Sequence, residues 1–129
     1  MTPAPRILVV DNDASMRQLL ELAFRQEGHE VFATGCPEKA RLALAEGGVA
    51  AMLLDYHLGA GVSGTILLER WRQERELPPF WLVTGMPDDP EVLAAKELEG
   101  CQGVVGKPFP VLQLVADVGE LLGAPGEGA

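Results

Sequence analysis

Short apolar runs alternate with amphipathic stretches along the whole chain. Arg6 to Val10 is β-branched and apolar and ends at Asp11, which predicts a buried first strand. Met16, Leu19, Leu20, Ala23, Phe24 and Glu27 follow at helical spacing, with the apolar positions on one face and Gly28 as the stop. His29 to Ala33 predicts a second strand. Pro37 then opens a helix with Ala40, Ala43 and Leu44 inward, ending at Gly47-Gly48. Val49 to Leu54 is unbroken in its apolar character, as a central strand covered on both faces requires.

The second half repeats the scheme. A glycine-rich loop, Gly59 to Gly64, leads to a helix carrying Ile66, Leu67, Arg70 and Trp71 and stopped by Pro78-Pro79. Phe80 to Val83 predicts a fourth strand, and Asp89-Pro90-Glu91 supplies the cap, proline and acid of a helix start, with that helix expected to reach Gly100. Cys101 to Val105 predicts a fifth strand, and Val111, Leu114, Val115, Val118 and Leu122 form the apolar stripe of a last helix. Five βα units imply a parallel sheet with right-handed crossovers and helices on both faces, whose ligands bind beyond the C-terminal strand edge.

Composition narrows the class. At 129 residues, 47% hydrophobic and 22% charged, the chain suits one globular domain, expected over residues 1–122, with a Gly- and Pro-rich flexible tail at 123–129. A net charge of −9 argues against direct nucleic-acid binding, because the densest basic stretch, Arg70 to Arg75, is interleaved with Glu69 and Glu74 and followed by Glu76. The longest apolar runs are strand-sized, far below the roughly 20 residues of a membrane span, and Arg6 with four apolar residues makes no secretory signal. A cytoplasmic location is expected. Cys36 and Cys101 fit no metal-ligand spacing and are expected as reduced thiols.

The chemistry lies where apolar runs end. Val9-Val10-Asp11, Leu53-Leu54-Asp55, Leu82-Val83-Thr84 and Val104-Val105-Gly106-Lys107 each deliver a polar residue to the same sheet edge. Together they make a carboxylate pair, a hydroxyl and an ammonium group, which suits a divalent cation and a phosphoryl group. Oxygen donors from the Asp11-Asn12-Asp13 turn and from Asp55 match Mg2+, a hard octahedral ion. Two close carboxylates repel unless a cation or proton intervenes, and carboxylates attack phosphoryl groups to give acyl phosphates. Asp55 is therefore the expected nucleophile. Individually, Asp13 reads as a helix cap, Asp55 as an ion-pair partner of Lys107, Lys107 as a surface lysine, and Thr84 as an ordinary strand-end threonine. Trp71 and Trp81 are expected in the core or at its rim, His29 in solvent, and Phe109 beneath the last helix.

In this order the set resembles the response-regulator receiver domain of two-component signalling, from about Arg6 to Leu122. Ile7-Leu8-Val9-Val10-Asp11-Asn12-Asp13 matches the family's acidic turn, Leu53-Leu54-Asp55 its phosphoacceptor segment, Leu82-Val83-Thr84-Gly85 its hydroxyl segment and Lys107-Pro108-Phe109 its lysine motif. The resemblance implies a flavodoxin-like (βα)5 doubly wound sheet in the order 2-1-3-4-5. It assigns catalytic roles to Asp55, Thr84 and Lys107, and metal binding to Asp11, Asn12, Asp55 and the backbone carbonyl of His57. It further implies a histidine kinase or phosphotransfer protein as donor, a downstream protein partner at the fourth helix, fifth strand and fifth helix, and a monomer or phosphorylation-dependent homodimer. The only catalysis it implies is of the domain's own phosphorylation and dephosphorylation.

The chain departs from the family at three places. Asn12 stands where a second acid is usual, which predicts weaker magnesium binding. The loop after Asp55 is one residue longer than the common form, with Gly59 where proline is frequent. Val104 replaces a frequent switch aromatic three residues before the lysine and has no ring to rotate. Asn12 and Val104 are the argument for a receiver-like binding module that has lost phosphorylation. Val10-Asp11-Asn12-Asp13 also resembles the motif of haloacid-dehalogenase-type phosphatases, with Asp11 as nucleophile and Asp13 as general acid, although that reading leaves Asp55 unused and lacks acidic ligands in the expected place after Lys107.

Overall fold

The computed structural model describes residues 6–59 and 61–123. Five strands, β1 (Arg6–Val10), β2 (Glu30–Thr34), β3 (Val49–Asp55), β4 (Phe80–Thr84) and β5 (Cys101–Gly106), alternate with five helices, α1 (Ala14–Gln26), α2 (Pro37–Glu46), α3 (Gly64–Glu74), α4 (Pro90–Ala95) and α5 (Val111–Leu122). All strands pair in parallel, in the order β2-β1-β3-β4-β5. This is the flavodoxin-like sheet that the resemblance implied.

The pleat divides the core in two. On one face Leu8 and Val10 of β1, with Met52 and Leu54 of β3, pack against Ala40 and Leu44 of α2, Leu67, Leu68 and Trp71 of α3, and Val92 of α4. On the other, Ile7, Val9, Leu53 and Val83 meet Leu20 and Phe24 of α1 and Leu114, Val115 and Val118 of α5. Alternate residues of the same strand feed opposite faces, so the sheet needs continuous apolar runs. Trp71 and Trp81 are both buried, and Phe109 packs against the α1–α5 side.

Local signals set most boundaries. Asp13 caps α1 by accepting from the backbone N–H groups of Ser15 and Met16, and Ser63 caps α3 by accepting from Ile66. Pro37 and Pro90 open α2 and α4. Gly28, at φ 88°, turns the chain out of α1 in a conformation that a Cβ disfavours. No helix among the described residues is long and apolar enough to cross a membrane.

Several expectations are corrected. His29 is buried rather than solvated, its ring edge-on to Phe24 at 5.9 Å between centroids, and β2 begins one residue later, at Glu30. Leu19 and Ile66 are exposed, because Leu20 with Phe24, and Leu67 with Leu68, already occupy the inward stripe of their helices. α4 stops at Ala95 instead of reaching Gly100: Glu97 and Leu98 bond to carbonyls only three residues back, and the tightened turns lead into β5. Beyond Gly123, the tail expected at 123–129 lies outside the described residues.

Candidate functional site

Parallel pairing lines up the strand ends. Val10 pairs with Leu54, Asp55 with Val83, and Thr84 with Gly106, so the residues just past β1, at the ends of β3 and β4, and just past β5 share one edge. Asp11 and Asp55 are only 2% and 5% exposed there. Lys107 Nζ lies 3.1 Å from Asp11 Oδ2 and 3.4 Å from Asp55 Oδ2. One ammonium group thus bridges two buried carboxylates. The Lys107-Pro108 peptide is cis, and the Lys107 backbone N–H donates to the Thr84 carbonyl at 2.7 Å.

Backbone donors aim the carboxylates. Asp11 Oδ1 accepts from the Asp13 N–H at 2.9 Å, and Asp55 Oδ1 accepts from the His57 N–H at 3.3 Å. Burial, followed by the charge of Asp11, raises the Asp55 carboxyl above the usual carboxylate range, with Lys107 and the His57 N–H pulling partly the other way. Burial lowers the Lys107 ammonium, but the hydrogen bond and charge of Asp11, joined by those of Asp55, outweigh it and leave its pKa raised. The lysine is held protonated, while the carboxylates carry more negative charge than one lysine offsets.

The remaining sequence candidates are placed unequally. Thr84 is fully buried at the same edge, but its Oγ1 accepts from the Met86 N–H at 2.9 Å and makes no bond to Lys107 or Asp55. That acceptance leaves the hydroxyl proton free. Asn12 is exposed and sends its amide nitrogen 3.5 Å to the Leu58 carbonyl, bridging the two acidic turns. The His57 ring is exposed and packs edge-on against Tyr56, while its carbonyl accepts no backbone hydrogen bond among the described residues. Asp13 is engaged as the α1 cap.

Among the described residues no group of three or more His, Cys, Asp or Glu side chains is placed to hold a metal. The donor set nevertheless fits magnesium. Two carboxylates with surplus negative charge and the unengaged His57 carbonyl are all hard oxygen donors, and this ion completes its octahedron with water.

Two residues escaped the sequence reading. Arg17, near the start of α1, donates from Nη1 to the Asp11 carbonyl at 2.8 Å. A cation this close to a helix N-terminus opposes the dipole, and that was its available signal. Tyr56, directly after Asp55, is the other: a tyrosine continuing a buried run must find a partner for its hydroxyl.

Comparison with known proteins matches the chain and its fold. Residues 7–119 match the family model described as the response regulator receiver domain. The transcriptional regulatory protein AruR of Pseudomonas aeruginosa is 33% identical over 127 residues, covering 95% of this chain and 51% of AruR. The chain spans about half the length of the curated relatives it matches. A CheY-like receiver domain protein of Methanospirillum hungatei aligns with a TM-score of 0.82 at 24% identity, over 94% of this chain and 95% of that one. The response regulator TrrA of Thermotoga maritima, solved with Mg2+ and beryllofluoride, aligns at 0.73 and 26% identity, covering 90% and 97%.

Proposed function

Because the chain belongs to the response regulator receiver domain family of two-component systems, we propose that it accepts a phosphoryl group on Asp55 from a histidine kinase or phosphotransfer protein. An Asp55 carboxylate oxygen attacks phosphorus in line, the bond to the donor nitrogen breaks, and an acyl phosphate forms. The observation that carries this reading is the single Lys107 ammonium set 3.1 and 3.4 Å from Asp11 and Asp55. It lies where the equatorial oxygens of a phosphoryl group on Asp55 gather charge.

Thr84 adds a donor, since its hydroxyl proton is not consumed by the bond from Met86. Asp11, Asp55 and the His57 carbonyl, with the Asn12 side chain at the rim, would hold Mg2+, which offsets charge on the phosphoryl oxygens when bound. Later attack by water on phosphorus releases phosphate and restores the carboxylate. The domain thus catalyses only its own modification and reversal. Its proposed setting is the cytoplasm, with a downstream protein partner reading the modified state.

The test uses acetyl phosphate as donor. With magnesium, intact-mass measurement is expected to find one added phosphoryl group on the wild-type chain and none on Asp55→Ala. An unmodified wild-type chain would overturn the proposal in favour of a binding module without phosphorylation.

A further inference from the structure

Tyr56 is 1% exposed, yet it carries a polar hydroxyl. That hydroxyl has two partners in two different helices: Thr65 Oγ1 of α3 at 2.7 Å and the Glu91 carbonyl in the first turn of α4 at 3.5 Å. Its main chain is tied just as closely to the site. The Tyr56 N–H donates to the Val83 carbonyl at 2.8 Å, and its carbonyl accepts from the Gly64 N–H at 2.8 Å. The ring rests against Gly64, where a Cβ would lie 2.8 Å from Tyr56 Cδ2. Around it, the same apolar cluster contains Val92 and Ala95 of α4, with Val104 at its edge. One side chain therefore reaches from the neighbour of Asp55 to α4.

The two hydroxyl contacts differ in strength. At 2.7 Å the contact to Thr65 is a full O–H···O bond, whereas 3.5 Å to Glu91 stands at the limit of one. When Thr65 donates to the phenol, the phenol proton is released toward the Glu91 carbonyl. A displacement of a few tenths of an ångström then makes or breaks that second bond. Such a displacement has a source next door: Asp55 Oδ1 accepts from the His57 N–H, so the carboxylate grips the backbone on both sides of Tyr56. Any group that binds Asp55 competes for that oxygen.

We infer that Tyr56 is the positioning residue that couples the state of Asp55 to α4, through its hydroxyl. This rests on Asp55 being the phosphoacceptor. When a phosphoryl group engages Asp55, the His57 bond shifts, the turn carrying Tyr56 moves, and the phenol closes on or leaves the Glu91 carbonyl. Coupling is reciprocal, so a partner that holds α4 alters the readiness of Asp55.

The experiment is hydrogen exchange of the α4 amides in the whole chain, with and without magnesium and beryllofluoride, a phosphoryl mimic on carboxylates. Binding of the mimic is measured separately by fluorine NMR. In the wild-type chain, α4 exchange is expected to change by about fivefold or more on binding. Tyr56→Phe keeps the ring; it is expected to bind the mimic comparably yet lose most of that change. Thr65→Val keeps the phenol but removes the group that orients it, and is expected to retain a reduced response. A merely structural hydroxyl would alter α4 exchange equally in both states and leave their ratio intact. That result in Tyr56→Phe, or a wild-type α4 indifferent to bound mimic, overturns the coupling alone. A wild-type chain that binds no mimic overturns the phosphoacceptor reading and the coupling together.

Discussion

Arg17 Nη1 donates a 2.8 Å hydrogen bond to the carbonyl oxygen of Asp11 and so ties the first turns of α1 to the strand end that carries an acidic side chain of the site. Gly35, in the turn after β2, leaves the room. A Cβ there would lie 2.9 Å from that Nη1 and 3.2 Å from both the Asn12 Cα and the Asp11 carbonyl. Two of these three atoms are backbone and cannot turn aside. Gly35→Ala is therefore expected to lower stability by about 1–3 kcal/mol and to weaken magnesium binding, read by urea unfolding with and without the ion. A variant within about 0.5 kcal/mol of wild type and unchanged in metal affinity would disprove the tight fit.

Asn12 is the most accessible means of strengthening the proposed metal site. Asn12→Asp adds a negative charge beside Asp11 and Asp55 but gives up the amide donor to the Leu58 carbonyl. Charge dominates at low salt, so magnesium affinity is expected to rise by about tenfold, with the gain shrinking as salt screens an exposed position. Tryptophan fluorescence during a magnesium titration measures it, and identical titration curves would sink the expectation.

Asp55 carries a cost in stability that its burial beside Asp11 explains. Burial, then the Asp11 charge, raises its folded-state pKa above the ordinary 3.8. The folded chain holds a proton that the unfolded chain has released, so stability falls as pH rises from about that ordinary value through the raised one. Asp55→Asn has no such proton to lose and is expected to unfold at higher urea than wild type at pH 7, with the difference closing toward pH 3. Magnesium is expected to narrow the gap at pH 7 by stabilising only the wild-type chain. An equal or lower midpoint for the variant at pH 7, without metal, would contradict this electrostatic picture.

His29 gives the opposite slope. Burial, partly offset by the charge of Glu27, lowers its folded pKa from 6.5, and its Nδ1 is buried without a hydrogen-bond partner among the described residues. The neutral ring is the folded form. Its contribution is complete above the ordinary value and is lost as pH falls from there toward the depressed one. His29→Leu keeps an apolar side chain against Phe24 and is expected to flatten the urea-midpoint profile between pH 7.5 and pH 5. A variant that retains the wild-type slope would place its origin elsewhere.

The fold was legible because β1, β3 and β4 are nearly continuous apolar runs of strand length and every helix but α4 is a run of helical period. α4 misled because its start signal, Asp89-Pro90-Glu91, was read together with a distant glycine stop, while tightened turns ended the helix after Ala95. His29 misled because a polar residue at a strand start reads as solvated, and only the packing of Phe24 closes over it. At the site, the meeting of Asp11, Asp55 and Lys107 followed from strand ends alone. The direction of the Thr84 hydroxyl and the reach of Tyr56 and Arg17 depend on loop geometry and neighbouring helices, which no spacing in the sequence encodes.

The most direct measurement traps the phosphorylated form by borohydride, which reduces an acyl phosphate to an alcohol and converts the modified aspartate to homoserine. After reaction with acetyl phosphate and magnesium, peptide sequencing by mass spectrometry is expected to place homoserine at position 55 and nowhere else. Homoserine at position 11, or a chain that carries none, would contradict the account.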